Sequence, residues 1–260
     1  MSVGWGWRVP AGQMARRAMN EFLLVLAIAA VAAGLTYLGA PAAERFDIPH
    51  RYVSAALQFA AGVITALVAF SLMPPALHKG ATTWIVLAFF LGGVLFVAIE
   101  HISLRFLPSG AGDDSAASPG FYIGIMVDLL VDGVVIGIGA TLTLMTGLLL
   151  ALGMAISTAP LAFVATATAK RQGIAEQQRK RLAYLFIVAI IGGAALGYVV
   201  LREQSLEVRM FLVALASGFL ITTVTQSMIP EANKEGEPGF AGLLYMAGLS
   251  LYALMSLTVR

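Results

Sequence analysis

Two aspartates, Asp128 and Asp132, stand four residues apart inside an otherwise apolar stretch, VDLLVDG, that ends at Gly133. A spacing of four places both carboxylates on one face of an α-helix. An acid near the centre of a membrane helix costs about 2.5–3.5 kcal/mol on insertion scales, unless it faces protein, water, a proton or a cation. The pair therefore predicts a polar site within a membrane. Two chemistries are open: oxygen ligation of a hard or borderline cation, or proton relay by a protonated carboxyl.

Hydroxyl and amide groups in other apolar segments are candidates for the same site. Ser157 and Thr158 precede Pro160, whose ring removes the backbone hydrogen bond to the carbonyl of Ile156. We expect a helix break at Pro160, where the freed carbonyl and the two hydroxyls act as weak cation ligands. An ordinary proline kink is the alternative. Gln226 lies in a later run rich in threonine, where a ligand and a hydrogen-bonding partner between helices are both open.

Three residues are predicted along a pathway or at a gate. Glu231 follows Pro230 at the end of an apolar segment. We expect it at a cytoplasmic mouth, where it attracts or releases a cation, with a solvated loop acid as the alternative. Glu100 and His101 come late in their apolar segment, which predicts an interfacial position, and pairing with solvent or neighbours is the favoured alternative.

The composition requires membrane helices to position these residues. The 260 residues are 59% hydrophobic and 12% charged, whereas soluble proteins carry about 25% charged residues. The absence of cysteine excludes disulfides, iron–sulfur clusters and thiolate metal sites. A net charge of +2 is too small to indicate a nucleic-acid partner. The sequence therefore predicts an all-α polytopic membrane protein in which a metal would use oxygen or imidazole ligands.

We predict a single transmembrane domain over residues 1–260, with eight spans of about 20 residues each. The predicted spans are 22–40, 52–74, 83–107, 121–142, 145–169, 182–201, 207–229 and 239–259. Almost no polar break separates the fourth span from the fifth, near 143–147. The basic loop 170–181 is expected on the cytoplasmic side and against lipid headgroups, which with an even number of spans places both termini outside.

Two segments of the chain are similar to each other at a constant separation. Residues 60–76 (AAGVITALVAFSLMPPA) and 216–232 (ASGFLITTVTQSMIPEA) lie in the second and seventh predicted spans. Because these spans would cross the membrane in opposite directions, the similarity predicts an inverted repeat that relates spans 1–3 to spans 6–8 around spans 4 and 5. Many transporters have this architecture, with the substrate near the midplane. Chance similarity between two alanine- and glycine-rich helices is the alternative.

Together these features resemble the ZIP family of divalent-metal transporters, whose members have eight spans in an inverted 3+2+3 arrangement. The resemblance covers nearly the whole chain. It is clearest from Phe59 to Pro74, which is similar to the family's second span, and from Thr225 to Glu231, which is similar to its seventh-span motif S-H-E-x-x-P-E. It implies a transported metal rather than a cofactor, both termini outside and a lipid surrounding, and it leaves a homodimer open.

The departures from the family fall on its metal site. The fourth-span motif H-N-x-P-E-G is replaced by a stretch in which only Asp128 and Asp132 supply oxygen ligands. Leu161 stands where the fifth-span carboxylate would bridge two metals, and Gln226 stands where the seventh span has histidine. The resemblance therefore implies at most one cation, held by Asp128, Asp132, Ser157, Thr158 and Gln226. Without imidazole, such a site favours manganese, magnesium or a proton over zinc.

The leading hypothesis is a transporter that moves a divalent cation such as zinc, manganese or iron across the cytoplasmic membrane by alternating access. The alternative is a diverged, non-transporting protein that keeps the scaffold for a binding or regulatory role. Intramembrane aspartyl proteolysis needs carboxylates that face each other from separate helices, so we do not expect an enzyme. The identity of the ion, the direction of transport, any coupling ion and the oligomeric state are left open.

Overall fold

Long apolar helices make up the described structure, because a chain in lipid must satisfy its backbone hydrogen bonds internally. The computed structural model describes residues 11–46, 49–79, 82–106, 119–234 and 239–258. The helices are α1 (Ala11–Tyr37), α2 (Gly39–Arg45), α3 (His50–Leu67), α4 (Met73–Lys79), α5 (Thr82–Phe106), α6 (Pro119–Leu142), α7 (Leu144–Arg171), α8 (Glu176–Leu201), α9 (Leu206–Thr223), α10 (Ile229–Ala232) and α11 (Ala241–Thr258). The prediction of an all-α polytopic membrane protein is confirmed at this level.

Within the described residues, seven helical segments are long and apolar enough to cross a membrane, as expected of a multi-pass membrane protein. They are Met19–Arg45, His50–His78, Thr83–Ile102, Tyr122–Leu142, Leu144–Arg171, Glu176–Leu201 and Leu206–Ala232. The eighth predicted span, 239–259, is occupied by α11, whose apolar part is the shorter Ala241–Leu257. The 18 residues of α11 extend about 27 Å at 1.5 Å per residue, slightly less than a typical hydrocarbon layer.

A single residue separates α6 from α7, the helices that occupy the fourth and fifth predicted spans. α6 ends at Leu142 and α7 begins at Leu144, with Thr143 between them in an extended conformation (φ −152°, ψ 149°). The backbone N–H of Thr146 donates a hydrogen bond to Oγ1 of Thr143 at 2.9 Å, which caps α7. One threonine thus allows the chain to pass from one helix to the next without a polar loop, within the predicted boundary region.

Two segments of the chain have the same backbone structure at a constant separation. α3 and α9 have 18 residues each, and each continues into a five-residue π-helical turn, Val68–Leu72 after α3 and Val224–Met228 after α9. Pro74 and Pro230 follow the two turns at the same distance. Since proline lacks the N–H that a regular helix would use, it disturbs the hydrogen bonds of the preceding turn. The sequence similarity between the segments is therefore also a structural similarity.

Glycines allow these two segments to pack closely against other helices. A Cβ atom added to Gly62 of α3 would overlap the carbonyl oxygen of Tyr245 in α11. A Cβ atom added to Gly218 of α9 would overlap the carbonyl oxygen of Phe89 in α5. The number of residues between Gly62 and Gly218 is the same as that between Phe89 and Tyr245. The two glycine contacts are therefore equivalent in the repeat. The pair α3–α11 is thus reproduced by the pair α9–α5, while the wider 3+2+3 arrangement remains a prediction.

α6, which carries the two aspartates, and its neighbour α7 are well enclosed by protein. α7 packs against α1, α2, α3, α6 and α8, and 72% of its apolar stretch is buried, compared with 22% in α5. α6 packs against α1, α5, α7, α8 and α9, and 61% of its apolar stretch is buried. Polar residues on these two helices are therefore largely shielded from lipid.

Candidate functional site

Asp128 lies within α6 and is held by a hydroxyl of α9. Its side chain is almost fully buried, with 4% exposed. The hydroxyl of Thr223 donates a hydrogen bond to Oδ1 of Asp128 over 3.0 Å. The same hydroxyl also lies 3.2 Å from the carbonyl oxygen of Phe219, so its one hydrogen is shared between two acceptors. This contact joins the end of α9 to the middle of α6.

Asp132 lies one turn beyond Asp128 on α6, and the two residues are called the aspartate pair below. Asp132 is 2% exposed, and neither of its carboxylate oxygens has a hydrogen-bond partner among the residues that the structure describes. A buried polar group without a partner costs about 1–3 kcal/mol, and a charged group costs more. Such a carboxyl requires a proton, a cation or water to balance it.

The hydroxyls of α7 are buried but are bonded elsewhere. Ser157 and Thr158 both donate hydrogen bonds to the carbonyl of Met154, at 2.8 Å each. Because the hydrogen of Thr158 is used in this way, the hydroxyl of Thr36 in α1 donates to Thr158 over 2.6 Å. The oxygens keep lone pairs that a cation can use. Their hydrogen bonds connect α7 to its own backbone and to α1, and not to the aspartate pair.

Pro160 does not interrupt α7, which continues from Leu144 to Arg171. The predicted helix break is therefore corrected to the loss of one backbone hydrogen bond inside a continuous helix. Membrane helices tolerate proline where neighbouring helices and Ser or Thr side chains support the backbone around it. The buried hydroxyls of Ser157 and Thr158 lie in the turn before Pro160, and the helices around α7 supply the packing.

Gln226 is not brought to the aspartate pair. It lies in the second π-helical turn, and its side chain is exposed, as is that of the neighbouring Thr225. The side chain that this segment brings to Asp128 is Thr223, three residues earlier. The predicted ligand set is thus assembled only in part, with Thr223 in the place expected for Gln226.

The contact made by Thr223 was missed from the sequence because several polar neighbours compete for the inward position. A comparison of the two similar segments, α3 and α9, could have identified it. The position equivalent to Thr223 in the first copy is Leu67, which is fully buried. A Cβ atom added to Gly153 of α7 would lie 3.1 Å from Cδ1 of Leu67, so this leucine faces the centre of the bundle. A threonine at a position where the other copy has an inward leucine indicates a buried polar contact.

A cavity of about 500 Å³ lies where α2, α3, α7 and α10 come together. Its walls include Phe46, His50, Val53, Lys170, Arg171 and Glu231. Glu231 also forms an ion pair with Lys234, with Nζ and Oε2 3.2 Å apart. The sequence predicted Glu231 at a mouth, and the structure places it in the wall of this cavity. Which side of the membrane the cavity faces stays a prediction.

Part of the basic loop after α7 is neutralised within the protein. Arg179 forms a two-bond ion pair with Glu44, with its Nε and Nη2 atoms at 2.5 and 2.8 Å from the two carboxylate oxygens. Lys170 donates to the carbonyl of Glu44 at 3.3 Å. Lys180 pairs with Glu176 at 2.6 Å on the surface. The bonds made by Arg179 and Lys170 to Glu44 fasten the end of the first span to α8 and α7.

Glu100 and His101 lie near the end of α5, half-buried and exposed respectively. In the part of the chain that the structure describes, no hydrogen bond or ion pair joins either residue to the aspartate pair. No three His, Asp or Glu side chains among the described residues lie close enough together to hold a metal ion. A cation at the aspartate pair would therefore need hydroxyl, carbonyl or water ligands beside the two carboxylates.

No protein-family model matches this chain, and no curated protein is similar to it in sequence. The resemblance to the ZIP family therefore depends on the residues and span pattern given above. The chemistry of the aspartate pair has to be argued from its own geometry.

Proposed function

We propose that this protein transports a divalent cation and that the aspartate pair is its binding site. The burial of two carboxylates one turn apart supports this most strongly, because Asp132 has no hydrogen-bond partner in the described structure. Two neighbouring carboxylates carry the negative charge that one divalent cation balances. Ionisable residues inside membranes generally mark the paths of ions or protons.

The ligands favour a hard cation. Asp128 and Asp132 offer carboxylate oxygens, and Thr223 adds a hydroxyl oxygen that already contacts Asp128. The buried hydroxyls of Ser157 and Thr158 in α7 are the further oxygen ligands that we propose. Zinc sites in proteins usually include imidazole or thiolate. The sequence has no cysteine, and no histidine among the described residues completes a metal cluster with the aspartate pair. We therefore expect manganese or magnesium to be preferred over zinc, with one cation bound at most.

The repeated helices suggest how the cation crosses. In an inverted 3+2+3 arrangement, α6 and α7 would be the two central spans, and the units built from spans 1–3 and 6–8 would rock around them. The matched helix pairs α3–α11 and α9–α5 support such a repeat. We propose alternating access on this basis, in a diverged ZIP-like protein of the cell membrane with both termini outside.

Uptake of manganese by the purified protein in liposomes tests this function. We expect Asp128→Ala and Asp132→Ala each to lower the uptake rate at least tenfold. Ser217→Ala is the matched control, because Ser217 is a fully buried serine of α9 whose hydroxyl donates to the carbonyl of Val213 at 2.7 Å. Uptake that survives replacement of both aspartates would exclude the aspartate pair as the transport site.

A non-transporting protein is the second candidate, and it is favoured by the lack, among the described residues, of a third His, Asp or Glu beside the aspartate pair. Such a protein would keep the helical scaffold for a binding or regulatory role. Calorimetry of the protein in detergent separates the candidates. Manganese binding that is lost in Asp132→Ala supports transport, whereas no binding of manganese, magnesium or zinc supports the second candidate.

A further inference from the structure

α3 carries a line of polar residues that begins at the cavity wall. His50 lines the cavity, and Ser54 and Gln58 follow at intervals of four residues, which places all three on one helix face. Ser54 and Gln58 are buried, at 1% and 4% exposure, and the other buried residues of α3 are apolar. Buried polar residues in membrane helices face a partner or a pathway rather than lipid.

The fold does not require polar residues at these positions. The equivalent positions in α9, the other copy of the repeat, are Met210 and Ala214. Both are fully buried and apolar. The polarity of α3 therefore serves something other than the packing that the two copies have in common.

The hydroxyl of Ser54 is buried and has no hydrogen-bond partner among the described residues. A serine in a helix normally satisfies itself on the carbonyl four residues earlier, as Ser217 does in α9. Ser54 directly follows Val53, and Val53 and His50 both line the cavity. Water that enters from that cavity would satisfy the hydroxyl.

Gln58 ends the polar line with a hydrogen bond to another segment. Its Nε2 atom donates to Oδ1 of Asn233 at 2.9 Å. Asn233 follows α10 and stands two residues after Glu231, which lines the cavity. The bond therefore ties α3 to α10 beside the cavity, and a single bond between two neutral amides opens at little cost.

We propose that the cavity continues as a wetted path along the polar face of α3, past Ser54, and that the Gln58–Asn233 hydrogen bond is a gate on this path. The passage of the proposed cation along this path rests on the proposed transport function. The access of water to Ser54, and its control by the gate, do not depend on that function. Ser54 and Gln58 are thus assigned as pathway residues at the cavity end of the protein.

The natural absence of cysteine makes the path directly testable. Ser54→Cys introduces a single thiol, and Ser217→Cys is the matched control at an equally buried serine outside the path. The purified proteins in detergent are treated with a small cationic methanethiosulfonate, and the modified fraction is followed by mass spectrometry. We expect the thiol at position 54 to react at least tenfold faster than that at position 217. Equal rates would overturn the wetted path, and Gln58→Cys provides a second probe if Ser54→Cys does not fold.

The gate is tested with a thiol placed beyond it. Ala61→Cys lies about one turn past Gln58 in a fully buried position. We expect Asn233→Ala to accelerate its modification at least fivefold, because the hydrogen bond to Gln58 is lost. An unchanged rate would overturn the gate.

The liposome assay keeps the two proposals distinguishable. Rapid modification at position 54 without manganese uptake would reject the transport function and retain the wetted path. Manganese uptake with an unreactive thiol at position 54 would reject the path alone.

Discussion

α3 and α9 have the same length, the same π-helical turn and the same following proline, but they differ in where they are polar. α3 is polar near its beginning, at Ser54 and Gln58, where α9 has Met210 and Ala214. The backbone features shared by the two helices depend on glycine and proline, which are retained in both. The polar side chains are not retained, so they report on what each copy does rather than on how it folds.

α9 is instead polar near its end, where Thr223 bonds to Asp128 and the equivalent residue of α3 is Leu67. The beginning of α3 and the helix that follows α9 meet at one cavity, because His50 and Glu231 both line it. The polar parts of both copies therefore lie toward the same end of the bundle. Two helices with the same backbone structure can thus carry different side chains, which together make one end of the bundle polar.

The largest expected effect tests the shared backbone. Gly62→Ala and Gly218→Ala each place a Cβ atom against a backbone carbonyl of the partner helix. We expect each variant to lose about 1–3 kcal/mol of stability, since overpacking forces the helices apart. Thermal unfolding in detergent measures the loss, with Gly192→Ala as the control because its added Cβ meets no atom within 4 Å. A cost confined to one of the two variants would contradict their equivalence.

The next effect tests the difference between the copies at the aspartate pair. Thr223→Val removes the hydroxyl that donates to Asp128 while keeping the shape of the side chain. We expect at least about a tenfold loss of manganese uptake, because a hydrogen bond to a charged group contributes about 1.5–3 kcal/mol. Leu67→Val introduces the same residue, valine, at the equivalent position of α3. It should leave the uptake rate within about twofold of that of the unmodified protein. Equal losses in the two variants would show that packing, and not the hydroxyl, matters.

The smallest effect concerns a serine that both copies retain. Ser71 is 2.9 Å from the hydroxyl of Tyr252, whereas the residue equivalent to Tyr252 beside the other copy is Phe96, which has no hydroxyl. We expect Ser71→Ala to cost about 0.5–1.5 kcal/mol of stability, and Ser227→Ala to cost less than about 0.5 kcal/mol. A double-mutant cycle with Tyr252→Phe measures the coupling. No coupling between Ser71 and Tyr252 would remove this difference between the copies.

Much of the fold could be predicted from the sequence because lipid imposes simple demands on a chain. Apolar length located the spans, and recurring glycine and proline positions identified the two similar segments before their π-helical turns were known. The burial of Asp128 and Asp132 also followed from their apolar neighbours. The last predicted span is also occupied by an apolar helix, and its described apolar part, Ala241–Leu257, is shorter than the other seven.

The site was less predictable because it depends on how helices face one another. A π-helical turn inserts an extra residue into the helical repeat, so the face of Gln226 relative to that of Thr223 cannot be assigned from a regular period of 3.6. The structure turns Thr223 inward and Gln226 outward. Pro160 likewise has a local rule that predicts a break, and packing around α7 overrides it.

The glycine contacts of α3 also constrain the order of biosynthesis. α3 is made early, but the helix that meets it at Gly62 is α11, which leaves the ribosome after every other helix described here. The interlocking of early and late helices means that neither half of the chain can complete its packing alone. The nascent protein must therefore hold α3 in the membrane before α11 is present, and the packing of α3 is completed only once synthesis has reached α11.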